Sequence, residues 1–317
     1  MALKEKKNIV YEIKRMKDEK NALILAHYYQ TGDIQDIADF VGDSLALSQK
    51  AASNNADIIL FAGVKFMAET AKILAPEKKV LLPDMNAGCS LADSCKASDF
   101  KIFLKENPGR TVVTYVNTTA EIKALSDITC TSSNAVKIIN SLPENEKIIF
   151  APDRNLGNYV LNKTGRDIIV WNGTCHVHEE FSLEAILKLK DENHDAKIIV
   201  HPECELPVRM VADFIGSTSA LLHFTKIDSS KCYIVATEPG IIHQMKKENP
   251  DKIFIPAPPK DSTCGCNECN FMKLITMEKI YRCLKNEKPE IFVDNNIIID
   301  AQKPIKRMLE ISEKIGL

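Results

Sequence analysis

No apolar run in this chain approaches the ~20 residues needed to span a bilayer, so the sequence offers no membrane-crossing helix. Its opening segment, MALKEKKNIVYEIKRMKDEK, is densely charged and has no apolar signal-peptide core. It reads as an amphipathic helix of a protein made in the cytoplasm. An excess of charge of one sign is missing too: 41 Lys and Arg against 43 Asp and Glu leave a net charge of -2, with no basic patch. Neither nucleic acid nor a membrane surface is therefore expected as a partner. What remains is an ordinary globular composition over 317 residues, 45% hydrophobic and 26% charged, together with ten cysteines. In a reducing compartment so many cysteines read as thiols, metal ligands or redox centres, not as a disulfide framework.

An internal repeat organises the chain. IADFVGDSLAL (Ile37 to Leu47) resembles VADFIGSTSAL (Val211 to Leu221), 174 residues further on, and the same offset carries His27 onto His201. A middle copy falls between them. Tyr115 lies 88 residues after His27 and 86 before His201, and Ser44, Ser132 and Thr218 show the same two steps. Apolar runs follow in parallel: DIILFAG, KIIFAPD and CYIVATE, then KKVLLP, RDIIVW and DKIFIP. Each unit is predicted to run β–α–α–β–α–β. Its short β-branched strands without strict alternation suggest a parallel sheet covered on both faces. The fold class expected is α/β, three repeated three-layer sandwiches. We divide the chain into an N-terminal helix (1–21), repeats over 22–109, 110–194 and 195–270, and a C-terminal helical segment (271–317), with boundaries at the polar stretches KENPGR and KDENHD. In parallel sheets ligands bind beyond the carboxyl ends of the strands, where all the repeated landmarks fall.

Three sets of side chains at those ends carry chemistry. The first is cysteine: Cys89 in NAGCSLAD, Cys175 in WNGTCHVH, and one of Cys264, Cys266 or Cys269 in CGCNEC. The CxxC there is a spacing used by zinc, by iron–sulfur clusters and by thiol exchange. Zinc would want a second such pair, for which only Cys175-His-Val-His178 is available. A thioredoxin-like site would stand after a first strand, not late in a third repeat. One cysteine per repeat suggests instead three thiolates on one [4Fe–4S] cluster, leaving an iron open as a Lewis acid. Gly88 and Gly173 would let the backbone approach it. Cys95, Cys130, Cys204, Cys232 and Cys283 read as inert core thiols.

The second set is Ser44, Ser132 and Thr218, each at an expected helix N-cap. A hydroxyl there caps free N–H groups, and converging helix N-termini also attract a small multiply anionic substrate. The third set is His27-Tyr-Tyr29, Tyr115-Val-Asn117 and His201-Pro-Glu203, residue types suited to acid–base work and to holding polar substrates.

With these residues in view, the chain closely resembles the quinolinate synthase family. Matching segments include LAHYYQ, GDSLALSQKA, NAGCSLAD, TYVNTTAEIKA, CTSSNA, FAPDRNLGNYV, WNGTCHVHEEF, HPECE, GSTSAL, ATEPGIIHQM and CGCNECNFM, over roughly residues 22–275. The resemblance implies three αβα sandwiches in pseudo-threefold array around a central [4Fe–4S] cluster. It implies Cys89, Cys175 and Cys269 as ligands, the last because the family ligand precedes the segment Asn270-Phe-Met. It implies a substrate shell of His27, Ser44, Tyr115, Val116, Asn117, Ser132, His178, His201, Pro202, Glu203 and Thr218, with Tyr29, Tyr115, His201 and Glu203 as catalytic groups and Glu203 as the base. The implied reaction condenses iminosuccinate with dihydroxyacetone phosphate to quinolinate in NAD biosynthesis, with transient contact with the enzyme that supplies iminosuccinate as a further expectation. A Cys266–Cys269 disulfide competing with the cluster is compatible with it. Rival readings are a hydro-lyase or reductive dehydroxylase with an open-iron cluster, and a non-catalytic sensor or thiol switch.

Overall fold

The computed structural model of the chain describes residues 3–261 and 267–316. Three separate four-stranded parallel sheets are built in chain order. The first holds β1 (Ala22–His27), β2 (Phe40–Gly42), β3 (Ile58–Ala62) and β4 (Lys79–Leu81); the second β5 (Thr111–Tyr115), β6 (Ile128–Cys130), β7 (Ile148–Ala151) and β8 (Ile168–Val170); the third β9 (Lys197–Val200), β10 (Phe214–Ile215), β11 (Cys232–Ala236) and β12 (Ile253–Pro256). Strand order is β2-β1-β3-β4, β6-β5-β7-β8 and β10-β9-β11-β12, the same in each. The chain is thus an α/β protein of three like units. The strand order reverses between the first and third strand of every sheet, the place where open parallel sheets bind ligands.

Each unit has one strand more than the sequence pattern suggests. Between the first two helices lies a strand of only two or three residues, β2, β6 or β10. An aspartate just before it ties it to the sheet. The carboxylates of Asp39, Asp127 and Asp213 accept the N–H of Ile24, Val112 and Ile198 at 2.8, 2.7 and 2.7 Å, while their own N–H groups donate to the carbonyls of the same three residues. These aspartates stand 88 and 86 residues apart, the steps of the repeat. Hydrogen bonds to a charged acceptor contribute about 1.5–3 kcal/mol each, enough to hold a strand too short to hold itself.

The central strands are buried on both faces; all five residues of Ile58–Ala62 are buried, which is why they lack alternation. Each sheet takes a helix from before its first strand: Leu3–Glu19 on the first, Ala97–Glu106 through Phe100 on the second, and Leu183–Glu192 through Ile186 on the third. The C-terminal helix Asn295–Lys314 packs across the first and second units, placing Ile298, Ala301, Ile305 and Met308 in a core continuous through both sheets. The third sheet has its own apolar clusters, around Val200 and Ile234 on one face and Tyr233 and Phe254 on the other. Among the described residues no helix is long and apolar enough to cross a membrane.

Candidate active site

Strand register brings the repeated residues together. His27 pairs with Gly42 and Tyr115 with Cys130, so Ser44 and Ser132 each lie two residues beyond the partner of a strand-end residue. In the third unit Val200 pairs with Ile215, which puts Thr218 in the matching place beside His201. All three strand ends open on one cavity. His27, Tyr29, Ser44, Tyr115, Asn117, Ser132, His178, His201, Glu203 and Thr218 line it, together with Cys89, Cys175 and Cys269. Two sequence candidates are not among the lining side chains. Val116 is packed into the core of the first two units, and Pro202 is buried beside the cavity.

The hydroxyl triplet does not cap helices as expected. Asp43 and Ser217, one residue earlier, are the N-caps, accepting the N–H of Ala46 and Ala220 at 3.0 and 3.3 Å, and Asn134 occupies the N-cap of the middle helix. Ser44 and Thr218 are therefore first-turn residues whose hydroxyls the caps do not use. Two of the caps meet through Ser133 where the three units join: Ser133 Oγ lies 2.7 Å from an Asp43 carboxylate oxygen and 2.9 Å from Ser217 Oγ. Sequence reasoning missed this junction, because it depends on residues one position away from the repeated ones.

Each of the three cysteines stands at the N-cap of a four-residue helix, Ser90–Asp93, His176–Glu179 or Asn270–Lys273. First-turn N–H groups face each sulfur without closing a full capping bond: Leu91 and Ala92 toward Cys89, His178 toward Cys175, Phe271 and Met272 toward Cys269. Burial is the stronger influence and pushes the thiols up, Cys89 to about 12 and Cys269 to about 11. Such thiols stay protonated in water at neutral pH, and coordination to a metal would remove the proton. Among the described residues the ligand atoms of Cys175, His178 and Glu203 are the one group of His, Cys, Asp or Glu placed to hold a single ion, all lying within 4.8 Å of one another. Ser90 and His176, the residues after two of the cysteines, are joined Oγ to Nδ1 at 2.8 Å. Cys264 and Cys266, and with them the disulfide left open by the sequence, lie outside the described residues. Gly88 has ordinary room for a Cβ, whereas at Gly173 a Cβ would stand 2.7 Å from the Pro152 carbonyl and 2.2 Å from Ser94 Oγ. Packing between loops by itself therefore requires a glycine near Cys175. Cys95, Cys130, Cys204 and Cys283 are buried in the core and Cys232 is half-buried.

Polar groups in the cavity form two connected sets. His27 and His201 are 4% and 2% exposed, and burial pulls them down to about 4 and about 3. Both are therefore neutral near pH 7. In each ring Nδ1 accepts a backbone N–H two residues on, that of Tyr29 at 3.2 Å and of Glu203 at 3.4 Å, so the proton belongs on Nε2. His201 Nε2–H then donates to Ser132 Oγ at 3.2 Å. His201 Nδ1 also lies 3.6 Å from a Glu203 oxygen, but a neutral ring whose Nδ1 is already an acceptor makes no ion pair there.

Glu203 ends the second set. Tyr115 donates its O–H to Glu203 Oε1 at 2.6 Å, and His178 Nδ1 lies 3.3 Å from Oε2. Burial pushes this carboxyl up, yet His178 and the hydrogen bond from Tyr115 outweigh it and hold the group below the usual carboxylate range. His178 Nε2 is 3.0 Å from Thr237 Oγ1, which is 2.8 Å from the Tyr29 hydroxyl. Thr237 and its neighbour Glu238 are fully buried at the end of β11 and went unnoticed in the sequence, where only ATEP marked them. Glu238 accepts the N–H of Cys269 at 3.3 Å and pairs with Lys273 at 2.7 Å, and Lys273 also donates to the Tyr29 carbonyl at 2.7 Å. Asn117 Oδ1 is buried and, among the described residues, without a hydrogen-bond partner, as suits an atom kept for a ligand.

Comparison with known proteins matches this architecture. The model of the quinolinate synthetase A protein family covers residues 11–310. The chain is 59% identical over 300 residues to the quinolinate synthase of Microcystis aeruginosa, covering 95% of this chain and 94% of that protein. It is 58% identical over 305 residues to that of Thermosynechococcus vestitus, with 96% of each chain covered, and 61% identical over 300 residues to that of Rippkaea orientalis, with 95% and 92% covered. From the first strand-end histidine to the C-terminal helix, the chain belongs to the quinolinate synthetase A family of enzymes.

Proposed function

We propose that this enzyme condenses iminosuccinate with dihydroxyacetone phosphate to form quinolinate in NAD biosynthesis, in the cytoplasm, on a [4Fe–4S] cluster held by Cys89, Cys175 and Cys269. The observation that carries the reading is the convergence of three like-placed N-cap cysteines, one after each sheet, on a cavity also lined by two neutral histidines and a buried glutamate. Three thiols on one cavity that need a metal to lose their protons suit such a centre. When bound there, such a cluster supplies an iron with an open position, a Lewis acid for a carbonyl or hydroxyl oxygen.

The chain's own groups supply the rest. The first-turn hydroxyls of Ser44 and Thr218, the Ser132 hydroxyl and the Nε2–H of His27 are donors suited to carboxylates and a phosphate, and the Asn117 amide oxygen is an acceptor for a substrate hydroxyl or N–H. Because His27 and His201 are neutral, they donate without adding charge. Glu203, ionised and aimed into the cavity, is the base for moving a proton between adjacent carbons of the triose. Tyr29, Thr237 and His178 form a relay: Tyr29 O–H donates to Thr237, Thr237 O–H to His178 Nε2, and His178 Nδ1–H to Glu203. It can draw a proton away from substrate at Tyr29 and return it when water leaves. The reaction changes no net oxidation state, which separates it from a reductive dehydroxylase. The substrate iminosuccinate is unstable in water, so a transient encounter with the enzyme supplying it accompanies the proposal.

The test is an anaerobic assay with iminosuccinate generated in situ and dihydroxyacetone phosphate. Brown protein with about four irons per chain should release quinolinate and phosphate. Intact cluster with no quinolinate would overturn the reading.

A further inference from the structure

One group of side chains in the cavity is arranged for a different occupant. Cys175 Sγ lies 3.3 Å from His178 Nδ1, His178 Nδ1 lies 3.3 Å from Glu203 Oε2, and all three atoms fall within 4.8 Å of one another. A tetrahedral zinc ion with ordinary bond lengths would separate its sulfur and nitrogen ligands by about 3.6 Å and its nitrogen and oxygen ligands by about 3.4 Å. The observed spacing is within a few tenths of an ångström of both. Cys175 at the N-cap and His178 in the first turn belong to the same short helix, three residues apart, so the pair is set by local geometry, and Glu203 is brought in from the turn after β9.

The outer partners are those of a metal site as well. His178 Nε2 faces Thr237 Oγ1 at 3.0 Å, a partner that can accept its proton and so leave Nδ1 free to coordinate. The second oxygen of Glu203 is held by the Tyr115 hydroxyl at 2.6 Å. Histidine and carboxylate ligands oriented in this way are the usual support of a catalytic-type zinc site with one position open, which here would face the cavity. His178 and Glu203 are each 2% exposed, so neither would be lost to solvent competition.

We infer that the protein without its cluster binds a single divalent transition-metal ion, zinc in preference to magnesium, on Cys175, His178 and Glu203. Binding releases the Cys175 thiol proton to solvent and forms metal–sulfur, metal–nitrogen and metal–oxygen bonds, with no redox change. Two consequences follow, and both rest on the proposed function. Cys175 cannot serve the ion and the cluster together, so the ion blocks cluster assembly. A metal on Nδ1 also fixes the proton on Nε2 and removes the Nδ1–H donated to Glu203, so the relay from Tyr29 is broken.

The probe is cobalt(II), added to reduced, cluster-free protein. One ion per chain should bind with a thiolate-to-cobalt charge-transfer band, and zinc should displace it. His178→Ala and Cys175→Ser should abolish the band. Thr237→Val, which keeps the shape but loses the hydroxyl, should weaken binding about 10- to 100-fold. Cys89→Ser and Cys269→Ser should leave it unchanged. No binding, or a band lost in Cys89→Ser and Cys269→Ser but kept in His178→Ala, would overturn the site. In a second arm, zinc-loaded protein supplied with ferrous iron and sulfide should stay colourless until a chelator removes the zinc. Assembly at the normal rate with zinc retained would refute the competition and leave the mononuclear site standing. Failure of zinc-free protein to assemble a cluster would instead count against the proposed function.

Discussion

Lys123 offers a sharp test of the energetics behind this architecture. Its side chain is completely buried, with the ammonium donating to the Thr118 carbonyl and lying 5.4 Å from the centre of the Phe66 ring. Burial pulls its pKa from 10.5 down to about 8, against the opposing influence of Glu69 and Cys89. Gln35 stands 88 residues earlier and does the same task in the first unit, donating to the Gln30 carbonyl at 2.8 Å, and Gln30 is 88 residues before Thr118. Glutamine thus fits this position of the fold, and Lys123→Gln keeps the donor while removing the charge. At about 1.4 kcal/mol per pH unit, the drop in pKa corresponds to about 3 kcal/mol of unfavourable charge burial. Below pH 8 both folded and unfolded chains carry the proton, so the whole penalty is present. Between pH 8 and 10.5 the unfolded chain still holds a proton that the folded chain has lost, so wild-type stability rises with pH. The variant has no such rise from this site. Loss of the ammonium over Phe66 offsets about 0.5–2 kcal/mol, so Lys123→Gln should be more stable than wild type by about 1–2 kcal/mol at pH 7. By pH 10.5 that lead should vanish. Urea unfolding of both proteins, kept reduced, across this range reads the difference directly, since other titrating groups cancel. A variant clearly less stable at pH 7, or a difference that does not move with pH, would refute the reasoning.

Three further outcomes are expected. Cys89→Ser should leave purified protein without iron, and full iron content would remove that residue from the ligand set. Glu203→Gln preserves the shape that receives the Tyr115 hydroxyl, so iron content should be normal while kcat falls about 100- to 10,000-fold; near-normal turnover would exclude Glu203 as the base. At Gly240 a Cβ would stand 2.8 Å from the Tyr29 carbonyl carbon, 2.9 Å from the Tyr28 carbonyl oxygen and 2.7 Å from Glu238 Oε2. Gly240→Ala must push the first and third units apart there, at a cost of about 1–3 kcal/mol. Thermal unfolding should show the loss, and an unchanged melting temperature would mean that this contact between units is not tight.

What could be read in the sequence, and what could not, follows from how the units use their repeated positions. The strands β1, β3 and β4 and their counterparts were legible because full burial makes them continuous apolar runs. The strands β2, β6 and β10 were not, because two or three residues have no period; their aspartates were visible, but a carboxylate accepting an N–H fifteen residues back along the chain cannot be told from a surface charge. Two caps were misplaced by one residue and the middle one by two, for a similar reason: Asp43-Ser44 and Ser217-Thr218 are both pairs of good capping residues, and the sequence does not say which member takes the cap. Lys123, Thr237 and Glu238 acquire their character from burial alone. The positions that did repeat divide into two kinds. Asp39, Asp127 and Asp213 are identical because each ties the same strand in the same way, and the hydroxyls Ser44, Ser132 and Thr218 and the N-cap cysteines are chemically alike. Tyr29, Asn117 and Glu203 occupy one repeat position, at the same steps of 88 and 86 residues, yet they are a phenol, an amide and a carboxylate. A threefold frame can hold a centre from three sides with like ligands. Moving protons along an unsymmetrical substrate needs unlike groups on those sides, so this divergence within a shared position marks where the chemistry is done.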